Sequence, residues 1–501
     1  MSDNNSESFF ISKLKDIFWP IKKNELGKFI PMSALMFCIL FNQNILRILK
    51  DSILIAEVSA EITSFTKVYV ITPFAAVFVI AYAKLINHLT FDKIYYYLIT
   101  IFTGFYLLFA FVIYPYIEIF HMDNYRLEYL MRTSPHLKWY IALLGNWSFV
   151  LFYTLSELWP NIFYILLFWQ FANEITTTAE AKRFYTLFSL FGNSSLIIVG
   201  LLMMNLASEE TMVKRLFTAS ESKIILTQLS TVILTVSSFI SCILVRYITK
   251  NVMIGIPHSA KAKVRSKQGS VKMGIFESFK YIARSRYLWL MLICSASFAL
   301  SMNLVEAVWK SKIKELYPTV SEYAAYSGMY ILWTGVVIMI MTIVGNNIMR
   351  SGSWFLAAVI TPIIILITGS IFFILVVFDE SVVSWFDGVI LIYPLALAVS
   401  VGALQNILSK GTKYSIWDTS IQMLYIPLDQ ELRTKGKAAV DVISPKVGKS
   451  FSGFVQAIIF TIMPYATYNS ISPVLMTVFI IICILWIYAV RKIYSEYQKI
   501  V

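Results

Sequence analysis

Between Leu288 and Trp309 the only charged residue is Glu306, in the string NLVEAVWKSK (303–312), and between Trp139 and Asn173 it is Glu157. A carboxylate exposed to acyl chains costs roughly 2.5–3.5 kcal/mol on insertion scales, so each of these must face the interior of a helical bundle. Lys310 lies one turn beyond Glu306, in the favourable Glu-to-Lys i,i+4 order, and can pair with it. Glu157 has no basic neighbour in its own run. Arg47 and Lys50 at the end of the first apolar run, and Lys67 near the start of the second, add bases at similar depth. The plain alternative for Lys50 and Lys310 is that a terminal lysine snorkels to the headgroups; for Lys67 it is a place at the membrane edge. Bases outnumber acids in this set, which favours an anionic solute on a polar pathway.

Other chemistry is excluded. The tripeptide GKS at 448–450 invites a phosphate-loop reading, but the glycine required five positions earlier is Ile443 and no strand precedes it. Lys449 and Lys446 nevertheless enter an apolar run, where they can meet an anion. Gly448 and Gly453 suit close helix approach. The four histidines (His88, His121, His136, His258) fall in or near loops without partners, and the four cysteines lie in apolar runs with no C-x-x-C spacing. No metal-protease motif or nucleophile elbow is present, so neither an enzyme nor a metal or cofactor is expected.

The elements that hold these charges follow from composition. Of 501 residues, 58% are hydrophobic and only 14% charged, which defines an all-α polytopic membrane protein. With about 20 apolar residues per crossing, spans fall at 29–49, 63–86, 94–117, 139–173, 183–206, 223–248, 287–310, 324–349, 353–378, 385–408, 446–466 and 471–490. That makes twelve transmembrane helices, the fourth read as a single long helix bent at Pro160, with two short helices as the alternative. The lysine-bearing residues 1–28 read as a cytoplasmic tail, while the first loop after Lys50 carries Asp51, Glu57 and Glu61 and reads as external. Arg246 to Arg286 holds ten basic residues against the single acid Glu277. This segment separates two six-helix bundles, 29–249 and 286–492, with 250–285 as cytoplasmic linker and 493–501 as cytoplasmic tail. The net charge of +13 sits mostly in such loops, so anionic lipid rather than nucleic acid is the expected partner. A weak repeat relates the halves, since NQNILRILKDS and SMNLVEAVWKSK each place an Asn shortly before a Lys.

The strings LRILKD (46–51), SELWPNIFYILLFWQFANEIT (156–176), EAKRFYTLFSLFGN (180–193), NLVEAVWKSKIKELYP (303–318), GALQNILSKGTKYSIWD (402–418) and YIPLDQELRTKGKAAVDV (425–442) closely resemble the Tlc-type nucleotide translocases, the ATP/ADP antiporters of obligate intracellular bacteria and plastids. The resemblance implies a major-facilitator-like fold and exchange of host ATP, or another nucleoside triphosphate, for ADP or a related diphosphate by alternating access. The lysine and arginine distribution, with an even number of spans, puts both termini on the cytoplasmic side, and a monomer in the bacterial inner membrane is expected. The family's critical charges fall on Lys50, Glu157, Glu306 and Lys449, and its phosphate-proximal Asn on Asn193. Arg47, Lys182 and Lys446 are further phosphate candidates, Lys310 a gate candidate beside the two glutamates, and Tyr153 and Phe451 candidates for stacking on the base. The chain departs from the family pattern at Ser156, Pro160, Glu174, Phe451 and Ser452, which leaves the base open. A proton-coupled importer of another phosphorylated metabolite is the alternative, and a membrane-embedded transferase acting on nucleotide-linked substrates is a further rival.

Overall fold

In lipid every backbone N–H and C=O must be satisfied within the protein, which apolar runs of this length achieve as helices. A computed structural model describes residues 21–207, 219–252, 285–351, 354–378, 393–428 and 437–500, and among them there is no strand. The long helices are α1 (Leu26–Glu57), α2 (Ile62–Ile86), α3 (Phe91–Ile113), α4 (Trp147–Ile175), α5 (Thr178–Ala207) and α6 (Ala219–Tyr247) in the first half. The second half contains α7 (Arg286–Leu316), α8 (Val320–Ser351), α9 (Trp354–Val377), α10 (Pro394–Thr412), α11 (Lys437–Ile462) and α12 (Tyr468–Ile500). Ten candidate spans among the described residues meet the length and apolarity of a membrane crossing. The tenth and eleventh expected spans fall on α10, whose expected start at 385–392 lies outside the described residues, and on α11, whose apolar part is Ser450–Ile462.

Three expectations change. The first span does not stop at residue 49: α1 continues for two further turns to Glu57, so Asp51 and Glu57 are helical rather than members of an external loop. The reason is visible in SILIAE (52–57), where the apolar run resumes after the charges. The fourth span is not one helix, because a short helix, Lys138–Gly145, ends at Asn146 before α4 begins. The bend at Pro160 is present as a wide-turn stretch, Pro160–Phe168, the usual accommodation of a proline that has no N–H to donate. Lastly, α12 runs on to Ile500, so residues 493–500 continue the helix. The helix at 219–252 and α7 flank residues 253–284, so the basic linker lies almost wholly outside the described residues.

Within the first half α1 packs against α4, α5 and α6; within the second, α7 packs against α10, α11 and α12. The halves meet chiefly where α5 lies along α8, with glycines at the contact, and where α11 crosses the start of α2. Gly448 presses on Ala296 and Ala299 of α7, and Gly453 faces Ser64 and Val68 of α2, so both serve helix packing.

Candidate functional site: a chain of charges across two bundles

Because α1 continues past them, Lys50 and Asp51 lie inside the first bundle rather than at a membrane surface. Likewise α7 extends six residues beyond Lys310. Snorkelling is thereby ruled out for both lysines: Lys50 is 5% exposed, Asp51 7% and Lys310 9%. Lys50 Nζ lies 2.9 Å from Glu157 Oε1 and 2.9 Å from Asp51 Oδ1. The other oxygen of Asp51 lies 3.0 Å from Lys310 Nζ, and Lys310 in turn lies 3.3 Å from Glu306. The result is one alternating chain, Glu157, Lys50, Asp51, Lys310, Glu306, with the first three members from one bundle and the last two from the other. Buried charges of this kind persist only when paired, since removing one partner strands the other in a low-dielectric interior. Among the described residues, Asp51 with Lys310 is the one ion pair that joins the bundles.

Beside the chain is a small cavity of about 20 Å³, room for roughly one water. Arg47, Asp51, Glu306, Lys310, Tyr330 and Lys410 are among the residues lining it. Lys410 of α10 donates to the Tyr330 hydroxyl. Lys67 of α2 reaches Asn303 Oδ1 of α7 at 3.4 Å. Five bases (Arg47, Lys50, Lys67, Lys310, Lys410) and three acids (Asp51, Glu157, Glu306) thus converge, an excess of two positive charges. Glu157 and Glu306 keep 27% and 30% of their side-chain surface accessible, so the two ends of the chain are less enclosed than its middle.

The two halves also bond at the end that carries the α1–α2 turn, hereafter the turn end. Lys314 Nζ donates to the Val58 carbonyl at 2.9 Å, and the Tyr468 N–H to Glu61 Oε1 at 3.2 Å. Ser64 Oγ donates to Gln456 Oε1 at 2.6 Å, and His136 Nδ1 lies 2.8 Å from the Thr461 carbonyl. Outside this seal is an open cavity of about 520 Å³ whose lining includes Glu57, Glu61, Lys138, Lys314 and Glu315.

Sequence reasoning named Lys50, Glu157, Glu306 and Lys310, and these the fold brings together. Arg47 joins them at the cavity. Asn193 is half-buried on α5, next to Gly192, which is pressed against Met36 and Leu40. The side chains of Lys182, Lys446 and Lys449 lie outside the described residues. Tyr153 offers no face to a base, because it is fully buried with Lys50 Nζ 4.2 Å above its ring. Phe451 lies with Phe454, Ile458 and Ile462 on an exposed apolar stripe of α11, away from the charge chain. Asp51 and Lys410 were missed. For Asp51 the signal was the apolar run that resumes after it; for Lys410 it was a lone base in an apolar helix.

Two helical bundles joined along a seam, with a buried ion pair between them, define a helical membrane protein of major-facilitator-like architecture. Solved structures agree on the fold: a bacterial homologue of the iron transporter ferroportin matches with a TM-score of 0.57 at 12% identity, over 93% of this chain and 100% of the other. The xylose transporter XylE from E. coli matches with 0.51 at 12% identity, over 93% and 95%. Residues 3–497 match the family described as the TLC ATP/ADP transporter, and the chain belongs to that family. It is 67% identical to ADP,ATP carrier protein 5 of Rickettsia bellii and 64% identical to that of Rickettsia prowazekii, each over the full length of both chains. It is 41% identical to ADP,ATP carrier protein 1 of Rickettsia bellii, over 100% of this chain and 99% of the relative.

Proposed function

We propose that this protein exchanges a nucleoside triphosphate, ATP first among the candidates, for a diphosphate across the bacterial inner membrane, with both termini cytoplasmic. The carrying observation is that Lys50 and Lys310, from opposite bundles, converge on one carboxylate. Two buried cations about one anion's width apart suit a phosphate chain, which can accept from both. Membership of the ATP/ADP transporter family and the names of its relatives support the same solute and do not favour a proton-coupled importer.

The mechanism is alternating access. Nucleotide enters the cleft between the bundles, its phosphates draw the lysines from their acids, and the bundles rock along the α5–α8 seam until the turn end opens. The inter-bundle bonds at the turn end support assigning the structure to the state closed on the outer side. An empty carrier resists switching because its lysines must remain paired. Exchange of a triphosphate for a diphosphate moves about one charge, so a membrane potential biases it by roughly 2.3 kcal/mol per 100 mV.

Reconstituted vesicles preloaded with ADP, CDP, UDP or GDP and offered labelled ATP, CTP, UTP or GTP test the reading. Uptake is expected only with an internal nucleotide, and at least one cognate pair is expected to dominate. Uptake into empty vesicles driven by a pH gradient would instead support the importer.

A further inference from the structure

The chain of charges has an odd member. Four of its five residues form two intra-bundle pairs, Lys50 with Glu157 and Lys310 with Glu306. Asp51 is surplus to that pairing, yet it is 7% exposed and places one carboxylate oxygen on each lysine. The surrounding bases compensate its charge, and what sets it apart is that it bridges cations from both bundles. Its geometry is that of a bound anion bridging two cations from opposite halves.

We propose that Asp51 is a tethered substitute for the substrate's phosphate, which locks the empty carrier and enforces exchange. This rests on the reading of the protein as a nucleotide exchanger. With the cleft empty, Asp51 ties α1 to Lys310 of α7, and the turn end cannot part without breaking that bridge between buried groups. A phosphate that binds Lys50 and Lys310 displaces the carboxylate and repels it towards the turn end, where opening brings water to solvate it. Substrate thus takes over the lysines at the moment the bridge is released. The same competition keeps affinity moderate, because every binding event must expel an internal anion. Asp51 acts through the lysines and is a positioning residue.

The test uses the full-length carrier in vesicles, comparing wild type with Asp51→Asn and Asp51→Glu. Two rates are read with labelled ADP: exchange against external ADP, and efflux into nucleotide-free medium. For Asp51→Asn the ratio of efflux to exchange is expected to rise roughly ten-fold or more, the scale set by loss of a buried inter-bundle ion pair, while KM for ADP falls. Asp51→Glu, which keeps a carboxylate within reach of both lysines, is expected to stay close to the wild-type ratio. An unchanged ratio in Asp51→Asn, including a case where exchange and efflux decline together, overturns the proposal. Should that variant not purify as a folded carrier, Asp51→Ser cuts the same bridge while leaving both lysines in place, and its ratio decides instead. Failure of the wild type to exchange any nucleotide would defeat the functional reading itself, a result distinct from a wild type that exchanges beside an Asp51→Asn that does not leak.

Discussion

Gly200 of α5 and Gly328 of α8 touch backbone to backbone: a methyl group on Gly200 would stand 2.7 Å from the Gly328 carbonyl oxygen, and one on Gly328 would stand 3.0 Å from that of Gly200. Gly335, two turns further along α8, is held as closely by Leu196 and Ile197. Small residues let the two backbones approach this closely and make a tight seam between the bundles. Gly200→Val is expected to splay this seam, lower stability by about 1–3 kcal/mol and reduce exchange disproportionately. Thermal unfolding in detergent, compared with exchange per folded carrier, separates the two effects.

The Lys50–Glu157 pair is expected to behave as a coupled unit. Lys50→Gln removes the cation that Glu157 and Asp51 share, and Glu157→Gln removes one of the acids on Lys50. Breaking a buried pair costs about 3–5 kcal/mol, so each single change is expected to cut uptake at least 100-fold. The double variant is expected to be far less impaired than the product of the two. Additive losses in a double-mutant cycle would show that the pair does not act together.

Lys410 tests how the surplus positive charge is used. It lies with Arg47 on the small cavity next to Lys310, beyond the two lysines bridged by Asp51. Lys410→Gln is therefore expected to raise KM for a triphosphate several-fold more than KM for the matching diphosphate, because the loss of a nearby cation weighs more on the solute with the larger negative charge. Equal changes for both would place Lys410 outside the phosphate path.

The turn-end seal gives an accessibility prediction. Ala60 is 2% exposed, between the Val58 carbonyl held by Lys314 and the Glu61 carboxylate held by Tyr468. With the four native cysteines replaced, Ala60→Cys is expected to react slowly with a membrane-impermeant maleimide. Adding Gln456→Leu, which removes the acceptor of the Ser64 hydroxyl, is expected to accelerate labelling, as is saturating nucleotide on the other side. Labelling that ignores both would mean that this end does not open.

Much of this architecture is legible from residue order, and the exceptions have physical causes. Glu157 and Glu306 stand out because a lone carboxylate in an apolar run has nowhere to go but inward. Lys50 and Lys310 announce themselves less clearly, since a lysine at the apparent end of a span looks the same whether it snorkels or is buried. The end was only apparent. Asp51 reads as a loop residue because hydropathy counts charges as boundaries, although two adjacent opposite charges neutralise one another and let the helix continue. Tyr153 and Phe451 show the limit of residue type: an aromatic ring can support a lysine from beneath or face outward from its helix, and spacing alone does not say which. The Asp51–Lys310 bridge joins positions 259 residues apart, a proximity that no local pattern encodes.

The wide-turn stretch that Pro160 opens in α4 begins three residues after Glu157. A helix is softest where its hydrogen-bond register slips, so the place at which α4 yields is next to the carboxylate that trades partners. When Glu157 loses Lys50, the pull on that joint changes, and the remaining turns of α4 are free to lean. Occupancy is thereby converted into curvature within a single helix, ahead of any rigid-body swing, and spectroscopic labels either side of residue 160 would register the solute's arrival first.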